Sequence, residues 1–508
     1  MIVFELVLGL LLAGVCLALL APRIGVPWPA LLALAGVVLA LIPGVPEVTL
    51  DPRLALGLFV APVLLDAAYD ASPRDLRQNW AAVTGLVLVA VGLTVAGVAA
   101  TAHWLNPAMP WAAAIALGAI VAPPDAAAAT SVLRQVRLPH RMLVILEGES
   151  LLNDASALLI YRLAVGAAAG GVTLYTGPMI ALSAAGGVLL GMVLARGFLA
   201  ISSRIEEGPA AVLLQFLGTF GVWLLADRLA LSPVLTVVAF AVTLARVAPG
   251  RMSARHRRAS YAVWEVVVFV LNVLAFILVG LQLRGILTRL HGLPGRYATF
   301  GLAVLAACIL IRFAWVMTHN TALRWTRRRA LARGAEALTP PTIQGGLVIS
   351  WCGMRGIVTL AAALALPEQF PERDLIVFTA FCVVLGTLVL QGITLRPFLA
   401  RLTLQQDDSV ADEVGMARAE AARAALEALG DDRASDIGRF VAKEYEARLR
   451  SDAQAETKLA AVAALRRRAL GAERQRLAAL LREGRIGDDA FHLVEEELDW
   501  AEANEREH

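Results

Sequence analysis

Little in this sequence carries charge. Acidic and basic residues together make up 17% of the 508 positions and nearly cancel, leaving a formal net charge of +3 at pH 7. A nucleic-acid partner calls for a strongly basic face, and this balance offers none. Lysine is almost missing: Lys443 and Lys458 are the only two, so arginine carries the positive charge. Cysteine is scarce and scattered. Cys16, Cys308, Cys352 and Cys382 fall singly in apolar runs with no C-x-x-C pair, which argues against a disulfide framework or a thiolate metal site and reads as small core residues. Residues 1–20 lack a basic leading segment and an obvious cleavage site, so they read as a retained first helix. What is abundant is apolar: 58% of residues are hydrophobic and the mean hydropathy is +0.68. That composition excludes an ordinary soluble domain and implies a polytopic, all-α membrane protein.

Apolar runs long enough to cross a bilayer fall at 2–21, 27–43, 54–69, 80–103, 111–133, 141–168, 177–203, 209–229, 233–247, 261–284, 297–324, 342–366 and 374–402. The expectation is therefore about thirteen transmembrane helices, with the termini on opposite sides. Eighteen arginines lie in connections after odd-numbered runs, among them Arg74, Arg77, Arg134, Arg137, Arg246, Arg251 and the Arg324–Arg333 group, against seven after even-numbered runs. Positive charge stays on the cytoplasmic side, which places the N-terminus outside and the C-terminus inside. Residues 1–404 are expected to form the membrane domain. Residues 405–508 turn Ala-, Glu- and Arg-rich, with a break at Gly430-Asp431-Asp432, and read as a soluble helical cytoplasmic tail whose Ala/Leu stripes pack as a small bundle.

The stretch from Ile120 to Ile160 departs from the apolar pattern. It places Pro123-Pro124-Asp125 inside the fifth run and Glu147, Glu149, Asn153 and Asp154 inside the sixth. A charge at bilayer depth costs about 2.5 kcal/mol or more even on the mildest scale, so it needs a partner or a job. The twelfth run is interrupted too, at Gly353-Met354-Arg355-Gly356. Proline removes a backbone donor and glycine weakens a helix, so both are natural unwinding points. Five and twelve differ by an odd number, so a repeat with that offset is inverted. Matched interruptions in two halves of a membrane protein point to a mid-membrane site. Ordinary kinks would also interrupt a helix, but each break here has an ionisable neighbour. Asp125 and Arg355 suit the opposite partial charges at the helix ends, with Asp125 also close to a bound ion.

Helical geometry divides the acids of the sixth run. Ser150 and Asp154 are one turn apart on one face, Glu147 lies two turns below Asp154, and Glu149 points about 140° away. Asp154, Ser150 and the amide oxygen of Asn153 are hard oxygen donors for a small monovalent cation. Glu149 is placed to meet a charge on a neighbouring helix, and Arg312 stands alone inside the eleventh run (CILIRFAWVM). Such a pair would compensate both buried charges. Asp66 and Asp70 read as structural charges closing the third run, and Glu265 as a partner of one of Arg255 to Arg258. Asp154 has no dedicated basic partner. A buried acid of that kind can be protonated or cation-bound near neutral pH, and competition between proton and cation for one carboxylate is itself an exchange mechanism.

At these residues the sequence resembles the cation:proton antiporter-1 family, which includes the bacterial NhaP-type proteins and the eukaryotic sodium/hydrogen exchangers. The matching segments are FVAPVLLDAAYDASPRDLRQNW, GAIVAPPDAAAATSVL, LEGESLLNDASALL, YAVWEVVVFVLNVLAFILVGLQLR, LIRFAWV, CGMRGIVTLAAALALP and LVLQGITLRPFL. The resemblance implies an antiporter fold of thirteen helices with inverted repeats and two broken crossing helices. It also implies a homodimer built on a dimerisation subdomain, and a core subdomain that moves as an elevator. By position it makes Asp154 the exchanging acid, with Na+ bound there, Asn153 its partner and Ser150 a ligand. Glu149–Arg312 becomes the core ion pair, and Arg355 the charge at the crossing. It further implies one cation exchanged per proton in the bacterial cytoplasmic membrane, in the service of pH and sodium homeostasis. No enzyme activity and no cofactor are implied; the partners are monovalent cations, protons and membrane lipids. One departure stands out. Where the family often has Thr-Asp-Pro, this chain has Pro124-Asp125-Ala126, so only the carbonyl of Pro124 can contribute at that place. The choice among Na+, K+ and Li+ is left open. A potassium/proton antiporter is the first alternative, and an ion-sensing membrane protein signalling through its tail is the second.

Overall fold

The computed structural model describes residues 2–45, 51–125, 128–129, 133, 138–171, 176–202, 204–205, 208–247, 254–290, 294–333, 341–402, 407, 409–449, 453–483 and 485–506. It is all-helical among them, and the chain divides into two compact units, Met1–Gln406 and Asp407–His508. The first unit opens with α1 (Ile2–Ile24), α2 (Trp28–Leu41), α3 (Pro52–Asp70), the short α4 (Pro73–Gln78), α5 (Trp80–Leu105) and α6 (Trp111–Val121). It continues with α7 (His140–Ala168), α8 (Thr176–Ser202), α9 (Gly208–Arg228), α10 (Pro233–Val247), α11 (Ala254–Arg289) and α12 (Pro294–Ala332). A half-length pair, α13 (Ile343–Trp351) and α14 (Ile357–Leu364), precedes α15 (Arg373–Leu399). Helix is present in every one of the thirteen apolar runs. Eight helices among the described residues are long and apolar enough to cross a membrane by length and composition. α2, α6 and α10 are shorter apolar helices.

Starts are set locally. Asp51 caps α3, accepting from the amides of Arg53 at 2.8 Å and Leu54 at 3.0 Å, with Pro52 in the first helical position. Ser72 and Pro73 do the same for α4, and Thr342 caps α13 by accepting from the Gly345 amide at 3.0 Å. These side chains satisfy amides that a helix N-terminus leaves over.

Small residues bring the helices together, as they must where lipid gives no hydrophobic drive between them. Gly36 of α2 and Gly280 of α11 lie backbone to backbone: a Cβ on Gly280 would strike the main chain of Ala33, Gly36 and Val37. Gly118 of α6 lets the main chain of Val95 on α5 approach so closely that a Cβ there would stand 2.6 Å from its carbonyl oxygen. Outward faces are apolar instead. Phe4, Leu8, Leu12 and Leu19 on α1, and Met179 and Leu182 on α8, are all more than half exposed, the pattern of a hydrocarbon-facing surface.

Among the described residues two helices carry a π-helical turn, at Leu56–Val60 in α3 and Gly85–Ala90 in α5. Such a turn disrupts the usual carbonyl pairing. In α5 two side chains reach carbonyls of that turn: Trp315 Nε1 donates to Gly85 O at 3.1 Å, and the Ser156 hydroxyl is shared between Val87 O at 3.0 Å and Asn153 O of its own helix at 2.8 Å.

The second unit holds α16 (Ser409–Ala428), a 3-10 turn at Gly430–Ala434, α17 (Asp436–Leu449), α18 (Ala453–Arg482) and α19 (Asp488–Arg506). The 3-10 turn begins at Gly430, which takes a positive φ of 42°. α18 and α19 are joined by Arg474, which pairs with Asp499 and Glu502.

Candidate functional site

α6 stops at Val121 and is followed by Pro123 and Pro124, which cannot donate to a helical ladder. α13 stops at Trp351, and α14 restarts after Gly356. The two interruptions meet: the amide of Asp125 donates to the carbonyl of Met354 at 2.7 Å. Arg355 is fully buried between them. Its Nε donates to Val121 O at 3.0 Å, at the carbonyl end of α6, and its Nη1 donates to Gly353 O. Its backbone amide donates to Thr387 Oγ1 of α15 at 3.0 Å. The carboxylate of Asp125 lies against Gly356, at the start of α14, where any Cβ would collide with it. A cation thus sits at a helix's negative end and an anion at a helix's positive end. Ala126, the next residue of the motif, lies outside the described residues.

α7 crosses this junction with its acids on different sides. Glu149 is 1% exposed and Arg312 3%. They form a two-pronged ion pair, with Arg312 Nη2 at 2.8 Å from Glu149 Oε2 and Nη1 on Oε1. Nη2 also donates to Ile349 O of α13 at 3.0 Å, so the pair binds α7, α12 and the broken helix. Asp154 is 7% exposed and, among the described residues, in no ion pair. Beside it, Asn153 is fully buried, and its Nδ2 donates to Pro124 O at 3.2 Å. The Oδ1 of Asn153 is buried with no hydrogen-bond partner among the described residues.

Asp154, Ser150, Glu147, Pro124 and Asp125 line a cavity of about 750 Å3. Asp66 and Asp70 of α3 line it too, as do Glu265 and Asn272 of α11 and Thr359 of α14. Asp66 and Asp70 read from the sequence as structural helix-end charges, and both residues line this wall. Four residues apart, they share a helix face, but nothing in the FVAPVLLDAAYD segment says which face meets a cavity. Glu265 also lies on the cavity wall; the side chains of Arg255, Arg257 and Arg258 lie outside the described residues. Glu149, Arg312 and Arg355 are not on this wall. Among the described residues the site presents carboxylate, hydroxyl, amide and carbonyl oxygens and no histidine, cysteine or methionine, a set suited to a hard cation. No cluster of three or more His, Cys, Asp or Glu suited to a resident metal occurs among the described residues.

The model of the transmembrane sodium/hydrogen exchanger family matches residues 7–401. The chain belongs to that family. An uncharacterised Na+/H+ exchanger of Mycobacterium bovis is 33% identical over 465 residues, covering 87% of this chain and 83% of the relative. A sodium, potassium, lithium and rubidium/H+ antiporter of Bacillus pumilus is 29% identical, over 84% of this chain and 66% of its own length. The solved sodium proton antiporter MjNhaP1 of Methanocaldococcus jannaschii superimposes with a TM-score of 0.61 at 17% identity, across 77% of this chain and 98% of that one. At that identity the likeness concerns the fold. This family member is thus a membrane-integral protein of an antiporter family with an NhaP-type antiporter fold, and its family exchanges ions rather than catalysing a reaction.

Proposed function

We propose that this exchanger carries Na+ one way and H+ the other across the bacterial cytoplasmic membrane, one for one, with Asp154 as the shared acid. The observation that carries the reading is a buried carboxylate that forms no ion pair among the described residues, on the wall of a 750 Å3 cavity where two broken helices meet. A proton or a small cation neutralises that carboxylate, and the empty charged site is costly to move through a bilayer. Ser150, the unpartnered Oδ1 of Asn153 and Asp125 supply further oxygens. The Pro124 carbonyl already accepts from Asn153, but a carbonyl has a second lone pair.

The junction supports an elevator motion. Asp125–Met354, Arg355–Val121 and Arg355–Thr387 bonds lock the breaks to one another and to α15, and Glu149–Arg312 locks α7 and α12 to α13. These helices would move as one core against a dimerisation subdomain within residues 1–404, in a homodimer. Thirteen crossings would put the termini on opposite sides, and the arginine bias supports an outside N-terminus with residues 405–508 in the cytoplasm; the cell-level role in this reading is pH and sodium homeostasis.

Potassium/proton exchange is the second reading, favoured by the named substrates of the Bacillus pumilus relative. The test is a pH-dye assay on the purified chain in proteoliposomes, adding Na+, Li+ and K+ in turn. Na+- and Li+-driven proton efflux is expected. A response to K+ alone selects the second reading, and no response to any cation overturns both.

A further inference from the structure

Away from the cavity, Arg74, Arg77 and Gln78 of α4 and Arg246 of α10 wall a second recess, of about 530 Å3. Among the described residues its wall holds three guanidinium groups and no carboxylate. Arg77, Gln78 and Arg246 are exposed, and neither Arg77 nor Arg246 forms an ion pair among the described residues. Asp75, on the same short helix, is turned elsewhere: its Oδ2 lies 3.2 Å from His140 Nε2 at the start of α7. Arg77 and Arg246 each fall in the last turn of a helix, where a cation is favoured. That accounts for each singly and not for their convergence, since like charges facing one another repel. An anion between them removes the repulsion, and guanidinium forks match phosphate oxygens.

The depth of the recess identifies a source. Trp80, two residues past Gln78, is 66% exposed at the start of the membrane-spanning α5. Exposed tryptophan at such a place marks the headgroup level of a bilayer. We propose that this recess binds a phosphate group, supplied by the headgroup of an anionic phospholipid. A bound phosphate ties α10 to α4, the link between α3 and α5. α4 and the residue after it already hold the start of α7 through Asp75–His140 and through Arg141 Nε, which donates to Asn79 Oδ1 at 3.0 Å. The ligand therefore bears on the joint that carries the Asp154 helix.

The test uses the full purified chain. Native mass spectrometry reads phosphatidylglycerol retained from vesicles of phosphatidylcholine with phosphatidylglycerol, and thermal unfolding is followed with and without that lipid. Wild type should retain the anionic lipid and melt higher with it. The double variant Arg77→Gln, Arg246→Gln should retain it on the order of tenfold less and lose the shift, while Arg228→Gln behaves as wild type. Inorganic phosphate added to pure phosphatidylcholine vesicles forms the second arm. A shift in wild type but not in the double variant, with no effect of phosphatidylglycerol, keeps the phosphate site and assigns it to a soluble anion. Equal lipid retention in wild type and double variant, with no phosphate response in either, overturns the site.

Discussion

Glu149 and Asp154 lie five residues apart on α7, both at least nine-tenths buried, and their surroundings differ in kind. Glu149 faces Arg312 through two oxygens, and that arginine is further held by a carbonyl of α13. Asp154 faces a cavity, beside an amide oxygen with no partner. Burial alone does not assign a role to an acid; the neighbour across the helix interface does. A paired acid has its charge compensated permanently, whereas one facing a cavity must be compensated by what enters it.

The sharpest way to break the comparison is to neutralise each acid. Asp154→Asn is expected to abolish exchange with the melting temperature preserved, because the substitution keeps the shape and removes the titrating group. Cation-driven proton movement in the purified variant would remove Asp154 from its role. Glu149→Gln should act the opposite way, on stability first. Breaking a buried pair costs about 3–5 kcal/mol because the surviving charge is stranded. The double variant Glu149→Gln, Arg312→Gln should therefore recover part of the loss of either single one. Additive losses in that cycle would mean that the pair does not couple.

Much of this contrast was legible beforehand, for identifiable reasons. The apolar runs could be read because a bilayer fixes helix length, and each run contains helix. The contrast between the two acids could be read because helical geometry separates residues five apart, and because Arg312 is a solitary charge in its run. The wall opposite Asp154 could not be read. Asp66 and Asp70 sit at the end of a helix, where charge is usual, and nothing local reveals which face meets a cavity. The π turn in α5 was equally hidden: no proline marks it, and its carbonyl partners, Ser156 and Trp315, are remote in sequence. Nor can spacing reveal that Asp125 and Met354 share a backbone hydrogen bond, although both breaks were visible.

Those hidden contacts give a smaller effect that sharpens the comparison. Ser156 is two residues from Asp154 and Trp315 three from Arg312, and both donate to the same π turn. Ser156→Ala and Trp315→Phe should each cost about 1 kcal/mol, rising towards 3 if the carbonyl is left dry. That is below the cost expected for Glu149→Gln, and Na+ should still drive exchange in both. Unchanged melting in both variants would show that the π turn is not held by these donors.

The last expectation is of no effect. If Glu149 is committed to Arg312, Asn153 is uncharged, and the other carboxylates of the wall keep their protonation through the cycle, the site offers one exchangeable carboxylate. One Na+ then balances one H+, and each cycle moves no net charge. The exchange rate should not change when the membrane potential is clamped with valinomycin over a range of K+ gradients, with Na+ as the test ion. The same competition gives a pH dependence of known sign: protons occupy Asp154 as pH falls, so apparent Na+ affinity should weaken on the acid side and strengthen on the alkaline side. A steep voltage dependence would require a second titrating acid in the cycle. Asp125, Asp66 and Asp70 share the cavity wall with Asp154, so they would be candidates ahead of Glu149, which is not on that wall, and Asn substitutions at the three positions would identify which one restores voltage independence.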